Sequence, residues 1–213
     1  MRILVPLFRF IFALLYHQFA WCYDLVAAVV SLGRWQDWVL TALPHLDGRV
    51  LELGFGPGHL QAALHKKGAL AFGLDESRQM LRQAERRLAC AGLPVRLVRG
   101  RAQALPFPAN SFEHIAATFP SDYIFDASTL AEIYRLLVPG GSLVVVPAAW
   151  ITGGRLLERG AAWLLRLAGL DLAARSGRPL IEARFVAAGF EVRSEIVERA
   201  GSQVVLILAY KGK

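Results

Sequence analysis

The sequence predicts an α/β fold: a doubly wound sheet of seven strands, mostly parallel, with an antiparallel hairpin at its carboxyl end. Three observations carry that prediction. From Gly48 to Val146 short apolar runs alternate with stretches of helical spacing, the rhythm of strands joined by crossover helices. The first apolar run leads straight into a glycine cluster, which lets a helix begin close behind its strand. The last two apolar runs, Phe190–Val197 and Gln203–Tyr210, are separated only by Glu198–Ser202, a link too short for anything but an antiparallel turn.

The elements follow in order. Arg49–Leu53 is the first strand and Leu60–Lys67 a helix. Leu70–Leu74 is the second strand, ending at Asp75. Ser77–Ala91 places Met80, Leu81, Ala84 and Leu88 at helical spacing and stops at Gly92-Leu93-Pro94. Val95–Val98 and Phe112–Thr118 are the third and fourth strands. Ala127–Leu137 is a helix ended by Pro139-Gly140-Gly141. Ser142–Val146 is the fifth strand, with the apolar pattern of a strand covered on both faces. After Pro147 the rhythm changes. Residues 155–169 are strongly apolar, with Arg155, Glu158, Arg159 and Arg166 on one narrow face. A polar loop (Arg175–Pro179), a helix (Leu180–Ala188) and the hairpin complete the chain.

Composition narrows the class. The 213 residues are 55% hydrophobic and 19% charged, with mean hydropathy +0.40. Soluble domains run at about 45–50% apolar, so disorder is excluded. Cys22 and Cys90 are the only cysteines, which excludes a disulfide scaffold and fits a reduced, cytoplasmic setting. The net charge is +7, from 20 Arg and 4 Lys against 17 acidic residues. A greasy, basic chain suits an anionic membrane surface, whereas nucleic acid matches the charge alone.

The first 32 residues are very apolar, yet Arg9, His17-Gln18 and Asp24 interrupt every window of the about 20 residues a spanning helix needs. Tyr16-His17-Gln18 stands where a signal peptide needs small residues. At about 100° per residue, Arg2, Arg9, His17 and Asp24 form one stripe on an otherwise apolar surface. That pattern suits helices lying on a bilayer or a lid packed on the main domain; Pro6 sets the first turn apart.

The densest chemical signal is Val50-Leu51-Glu52-Leu53-Gly54-Phe55-Gly56-Pro57-Gly58-His59. A strand feeding a glycine loop that opens a helix lets backbone approach a ligand closely. A dinucleotide fingerprint reads G-x-G-x-x-G/A. Here the glycines stand at 54, 56 and 58, and His59 takes the place of the third dinucleotide glycine. His59 reads as a solvated residue at the helix start. Asp75 closes the second strand, where a short carboxylate accepts hydrogen bonds from both hydroxyls of a ribose or caps the next helix.

Glu52 to Gly58 with Asp75 resembles the class I S-adenosylmethionine-dependent methyltransferases. Gly73-Leu74-Asp75-Glu76-Ser77 through Met80-Leu81 is similar to that family's G-x-D-x-S…M-L signature. Gln103-Ala104-Leu105-Pro106-Phe107 through Ser111-Phe112-Glu113 is similar to its L-P-F…S-F-D signature. Glu132 to Gly141 is similar to its L-x-E-x-x-R-x-L-x-P-G-G signature. The resemblance covers roughly residues 48–147, and the subgroup it points to contains quinone-biosynthesis and small-molecule or lipid methyltransferases. It implies a Rossmann-like single domain over 1–213: an apolar helical segment at 1–45, a cofactor core at 46–147, an apolar insertion at 148–176, and a helix and hairpin at 177–213.

The resemblance implies S-adenosylmethionine as the cofactor. Gly54, Gly56 and Gly58 would pass close to its methionine and ribose, with Glu52 near the methionine amino group. Asp75, with Glu76 beside it, would take the ribose. Met80 would lie against the adenine or in the core. Ala102 and Gln103 would line the adenine edge, and Thr118 and Phe119 would border the methyl group and the acceptor. Two positions depart from the pattern. Arg101 stands where many relatives carry an acidic adenine-binding residue, which leaves that task to backbone or Gln103. Glu113 replaces a more common Asp.

Methyl transfer is an in-line displacement on an already activated carbon, so alignment and desolvation are the main demands. A base is needed only when the nucleophile arrives protonated. His17, Tyr23, Asp24, His114 and Tyr123 are the candidates; the amino-terminal segment usually lids the pocket in this family, which favours His17, Tyr23 and Asp24. Thr118-Phe119-Pro120-Ser121 lacks the Asn/Asp-Pro-Pro-aromatic stretch of enzymes that methylate nucleic-acid amino groups, so nucleic acid is not the expected partner, and no metal is expected. The arginines of Ser77–Arg101 read as a solvated face. The leading expectation is methylation of a lipid, quinone or similar apolar molecule by a cytoplasmic protein, peripheral on the inner face of the membrane. A soluble-metabolite methyltransferase whose apolar helices form a lid or dimer interface is the alternative. A non-catalytic S-adenosylmethionine-binding protein is a third reading.

Overall fold

Seven strands form one sheet in the order β3-β2-β1-β4-β5-β7-β6. The computed structural model describes residues 31–152 and 178–212, so most of both predicted apolar segments, with His17, Tyr23 and Asp24, lies outside the described residues. The strands are β1 (Arg49–Leu53), β2 (Leu70–Asp75), β3 (Leu97–Arg99), β4 (Phe112–Thr118), β5 (Leu137–Ile151), β6 (Phe190–Arg199) and β7 (Ser202–Lys211). The described helices are α1 (Trp35–Val39), α2 (His59–Lys67), α3 (Arg78–Cys90), α4 (Ala127–Leu136) and α5 (Arg178–Ala187), with short 3₁₀ turns at Leu40–His45 and Asp122–Phe125.

β1 to β5 pair in parallel, and β7 runs antiparallel to both β5 and β6. β7 alone therefore opposes the rest. The expected doubly wound sheet with its terminal hairpin is the fold that forms, and the hairpin turn tightens to Ala200-Gly201, with Arg199 facing Ser202.

Most element boundaries fall within two residues of the sequence reading, and three differences have a structural reason. The third strand is Leu97–Arg99 rather than Val95–Val98. It is an edge strand registered on Gly73–Asp75 of β2, and Val95 lies outside that ladder, 45% exposed. The fifth strand runs from Leu137 to Ile151, well beyond Ser142–Val146, and takes in Pro139-Gly140-Gly141. Partners on both sides explain its length: β4 pairs with it up to Val146, and β7 pairs with it out to Ile151. Pro147 has no N–H for a ladder and falls in the irregularity between Val145 and Ala148. α5 begins at Arg178, inside the predicted polar loop, and Pro179 is tolerated in its first turn.

Alternation along β1 divides the core. Leu51 and Leu53 join Ile115, Ile133 of α4 and Phe185 of α5 on one face. Val50 joins Leu60 and Leu64 of α2, Ala116 and Trp38 on the other. Glu52 shares the Val50 side, under α2. α3 shows the same logic: Met80, Ala84 and Leu88 are fully buried, and Ser77 caps the helix by accepting the Met80 N–H.

Candidate active site

The chain leaves β1 for β2 on one side, while β4 lies on the other. Strand order reverses there, and the crevice beyond the carboxyl ends of such a pair is where α/β sheets take their ligands. Here it is the gap between Leu53-Gly54 and Thr118-Phe119. A small cleft opens at that point, walled by Trp35, Glu52, Gly54, Gly56, His59 and Thr118 among others.

The three loop glycines divide the labour. A Cβ on Gly54 would stand 2.8 Å from Tyr123 Oη, and one on Gly58 2.9 Å from the Ala84 Cβ of α3. These two glycines permit packing of protein on protein. A Cβ on Gly56 would meet nothing within 4 Å. Of the three, only Gly56 has open space where a Cβ would stand, and Gly54 and Gly56 both line the cleft.

Asp75 shapes that loop. Its Oδ2 accepts the Gly56 N–H at 3.0 Å and its Oδ1 accepts the Ser77 N–H at 2.8 Å. The side chain is 2% exposed, and helix capping falls to Ser77 instead.

Glu52 lies one residue short of the strand's end, 1% exposed. Gln61 Nε2 of α2 donates to Glu52 Oε2 at 2.9 Å and to the Phe72 carbonyl at 3.0 Å. Burial pushes the Glu52 carboxyl up to about 8; the bond from Gln61 works against that, and the Asp75 charge adds to it. Gln61 Oε1 is buried without a hydrogen-bond partner. Tyr123 Oη donates to the Leu53 carbonyl at 3.0 Å. Burial, helped by the Asp75 and Glu52 charges, pushes this phenol well above its ordinary range. Tyr123 therefore holds its proton and ties the loop to the end of β1.

Across the cleft, Phe119 follows Thr118 with φ +48°, in the left-handed region. Its N–H donates to the Val146 carbonyl at 2.7 Å. The Trp35 indole stacks on it, with ring centroids 4.3 Å apart and planes 30° from parallel. Trp38 Nε1 donates to Ser202 Oγ at 2.8 Å in a buried bond that fastens α1 to the β6–β7 turn.

The comparisons agree with this geometry. Residues 50–141 match the methyltransferase domain family. Over these residues the chain carries a methyltransferase domain and is similar to the class I S-adenosylmethionine-dependent methyltransferases. It is 37% identical over 131 residues to the demethylmenaquinone methyltransferase of Thermus thermophilus, covering 58% of this chain and 60% of that one. It is 37% identical over 129 residues to the ubiquinone/menaquinone biosynthesis C-methyltransferase UbiE of Desulfotalea psychrophila, covering 57% and 52%. The matched region thus spans between half and two thirds of these relatives' length. Among solved structures it is similar to phosphoethanolamine N-methyltransferase 2 of Haemonchus contortus, crystallised with phosphomonomethylethanolamine and S-adenosylhomocysteine. That likeness has a TM-score of 0.59 at 18% identity, over 85% of this chain and 53% of the other. The YcgJ protein of Bacillus subtilis gives a TM-score of 0.56 at 19% identity, over 87% and 98%.

The remaining predicted residues fall as follows. Met80 is fully buried, its side chain part of the α3 core face. Ala102 packs in the core at 6% exposure, leaving its backbone as the usable part. Gln103 Nε2 donates to Asp126 Oδ2 at 2.8 Å. Glu76 is exposed and pairs with Arg101 at 3.4 Å, so the departure at Arg101 is matched by a neighbouring acid. Glu113, the other departure, accepts the Arg49 N–H at 2.8 Å and pairs with its guanidinium at 2.8 Å, tying β4 to β1. His59 is the first residue of α2, as expected; it is half-buried and lines the cleft wall.

His114 belongs elsewhere. It sits beside Val50 and Ser142, four residues before Thr118, about 13 Å down the strand at 3.3 Å per residue. Its Nδ1 meets Ser142 Oγ at 2.8 Å and its Nε2 meets Asp47 at 3.0 Å. Gln61, Trp35 and Trp38 went unmarked in the sequence. The Trp pair at i, i+3 spacing is a signal for one helix face; a single Gln between Leu60 and Leu64 gives none.

Proposed function

We propose that this protein binds S-adenosylmethionine at the Gly54–Gly58 loop and transfers its methyl group to a lipophilic, quinone-type acceptor drawn from a membrane surface. The observation that carries the cofactor assignment is the open side of the loop at Gly56, flanked by the buried carboxyls of Glu52 and Asp75. That donor set fits a ligand with an ammonium group at one end and a ribose diol at the other. Asp75 would accept from the diol, Glu52 would face the ammonium, and Ala102 and Gln103 would border the base. When bound, the cofactor supplies the activated methyl group.

The acceptor assignment rests on the relatives' names and on the apolar, basic character of the chain. Thr118 would border the acceptor side, with Phe119 next to it packed under Trp35. Where an acceptor hydroxyl must lose a proton, His17, Tyr23 and Asp24 are the proposed bases. The chain acts in the cytoplasm, peripheral on the inner membrane face, with the apolar segments at 1–32 and 148–170 as the contacts. Among the described residues no helix is long and apolar enough to cross a membrane.

Calorimetry with S-adenosylmethionine on the wild type and Asp75→Asn, followed by methyl-label incorporation into quinols and into soluble phenols and amines, tests the proposal. The expected result is at least tenfold weaker binding in Asp75→Asn and label in the quinol pool. Equal affinity removes Asp75 from the site, and label in the soluble pool alone removes the lipophilic acceptor.

A further inference from the structure

We infer that Gln61 is a positioning residue for the cofactor: its amide, out of the ligand's reach, holds one oxygen of Glu52 under α2 so that the other is turned to the cleft for the ligand's ammonium group. The inference rests on the cofactor reading above, in which Glu52 faces the ammonium, and adds the residue that aims it. Glu52 lines the cleft, whereas Gln61, fully buried, does not. Gln61 Nε2 donates to Glu52 Oε2 at 2.9 Å. This is the one hydrogen bond to the Glu52 side chain among the described residues, so Oε1 is left to accept from a ligand.

Three observations show that the amide is aimed rather than merely packed. Both hydrogens of Nε2 are used, since it also donates to the Phe72 carbonyl of β2 at 3.0 Å. Turning the amide over would set its oxygen against that carbonyl and the Glu52 carboxylate, so the surrounding acceptors fix its orientation. Second, Gln61 Oε1 is buried with no hydrogen-bond partner. An orphaned acceptor is costly, and an apolar side chain in this place would avoid the cost. The gain that offsets it lies on the donor side, at Glu52 and Phe72. Third, β2 makes room for the amide at Gly73, where a Cβ would stand 3.3 Å from Gln61 Cδ. A carboxyl already held at one oxygen meets a cation without first losing rotamer freedom, which is the advantage of a preorganised site.

The test uses the full chain at pH 9, where Glu52 of the wild type is ionised. Calorimetry compares two probes. S-adenosylhomocysteine carries the ammonium, and 5′-methylthioadenosine keeps the nucleoside without the amino-acid end. Gln61→Met keeps the length of the side chain and loses the amide; it is compared with wild type after circular dichroism shows that it is folded. The expected result is S-adenosylhomocysteine affinity lowered tenfold or more, with 5′-methylthioadenosine affinity within twofold. On a Glu52→Gln background the same substitution should change S-adenosylhomocysteine affinity by less than twofold, because a residue that acts through Glu52 has no carboxylate left to aim. Unchanged S-adenosylhomocysteine affinity in folded Gln61→Met, an equal loss for both probes, or a loss of more than twofold on the Glu52→Gln background overturns the inference alone. A wild type that binds neither probe, or binds both equally, overturns the cofactor reading at Glu52, and this inference with it. Should Gln61→Met fail to fold, Gln61→Asn, which withdraws the amide by one methylene, carries the same comparison.

Discussion

Gln61 Nε2 donates to Glu52 Oε2 at 2.9 Å, and both side chains are cut off from solvent. This single bond does not offset the desolvation of a carboxylate, so the Glu52 carboxyl titrates near 8 in the folded protein. In the unfolded chain it titrates in the ordinary carboxylate range, so the folded state holds the extra proton between roughly pH 4.5 and 8. Stability from this group is full below that window and is lost as pH rises through it, by about 1.4 kcal/mol per pH unit at most. Denaturant unfolding of wild type and Glu52→Gln at pH 5.5 and 7.5 should show the wild type losing about 2–3 kcal/mol more over that interval. Parallel pH dependence in the two proteins would remove Glu52 as the proton-linked group.

The same proton opposes a cationic ligand. An ammonium beside Glu52 favours the carboxylate, so binding below pH 8 should expel a proton. Apparent affinity for S-adenosylmethionine should then rise with pH, approaching tenfold per unit, and level off near 8. Calorimetry in two buffers of different ionisation enthalpy would show the released proton. Glu52→Gln should bind weakly and without that slope.

The three loop glycines should fail in different ways when changed to alanine. Gly58→Ala drives a Cβ to 2.9 Å from Ala84 Cβ and 3.1 Å from its Cα, a clash with helix backbone that α2 and α3 must separate to relieve. We expect a loss of about 2–4 kcal/mol, combining overpacking with left-handed strain. Gly56→Ala meets open space and should lose only about 1–2 kcal/mol, yet it fills the open side of the loop. Cofactor affinity should fall far more for Gly56→Ala than its stability does. Equal stability losses in urea would contradict the division of roles.

Much of this was readable from the residues alone, for reasons that differ by level. The apolar runs of β1, β2 and β4 and the stripe of Met80, Ala84 and Leu88 on α3 encode burial, so those elements fall where the periodicity puts them. β5 misled because a break signal, Pro139-Gly140-Gly141, is overridden by pairing with distant β4 and β7. Glu52, Gly54, Gly56 and Asp75 were legible because loop spacing is local. The partition among the glycines was not, since it depends on Tyr123 and Ala84, far away in sequence. Gln61 and the Phe119–Trp35 stack were invisible for the same reason: a hydrogen bond across elements or a positive φ leaves no spacing to read.

The E-x-x-R signature at Glu132 and Arg135 has a structural task. Arg135 binds Glu132 through Nε and Nη2, and donates to the carbonyls of Phe107 and Leu105; Glu132 accepts the Leu105 N–H. The pair clamps the Leu105-Pro106-Phe107 loop onto α4. Arg135 holds the Glu132 carboxyl below the usual range, mainly through their side-chain hydrogen bonds. Lysine keeps the charge and loses the fork. Arg135→Lys should therefore lower stability by about 1–2 kcal/mol and speed amide exchange at Leu105. Exchange unchanged at Leu105 would show that the loop does not depend on the clamp.

The Trp38–Ser202 bond links the cleft to the far end of the sheet. Trp38→Phe leaves Ser202 Oγ buried without its donor, at a cost of about 1–3 kcal/mol. Ser202→Ala leaves the indole N–H unpaired and should cost a similar amount. The double variant removes both groups, so its loss should be smaller than the sum by about 1 kcal/mol or more. Additive losses in the double variant would show that the two groups are not coupled and that the bond does not fasten α1 to β7.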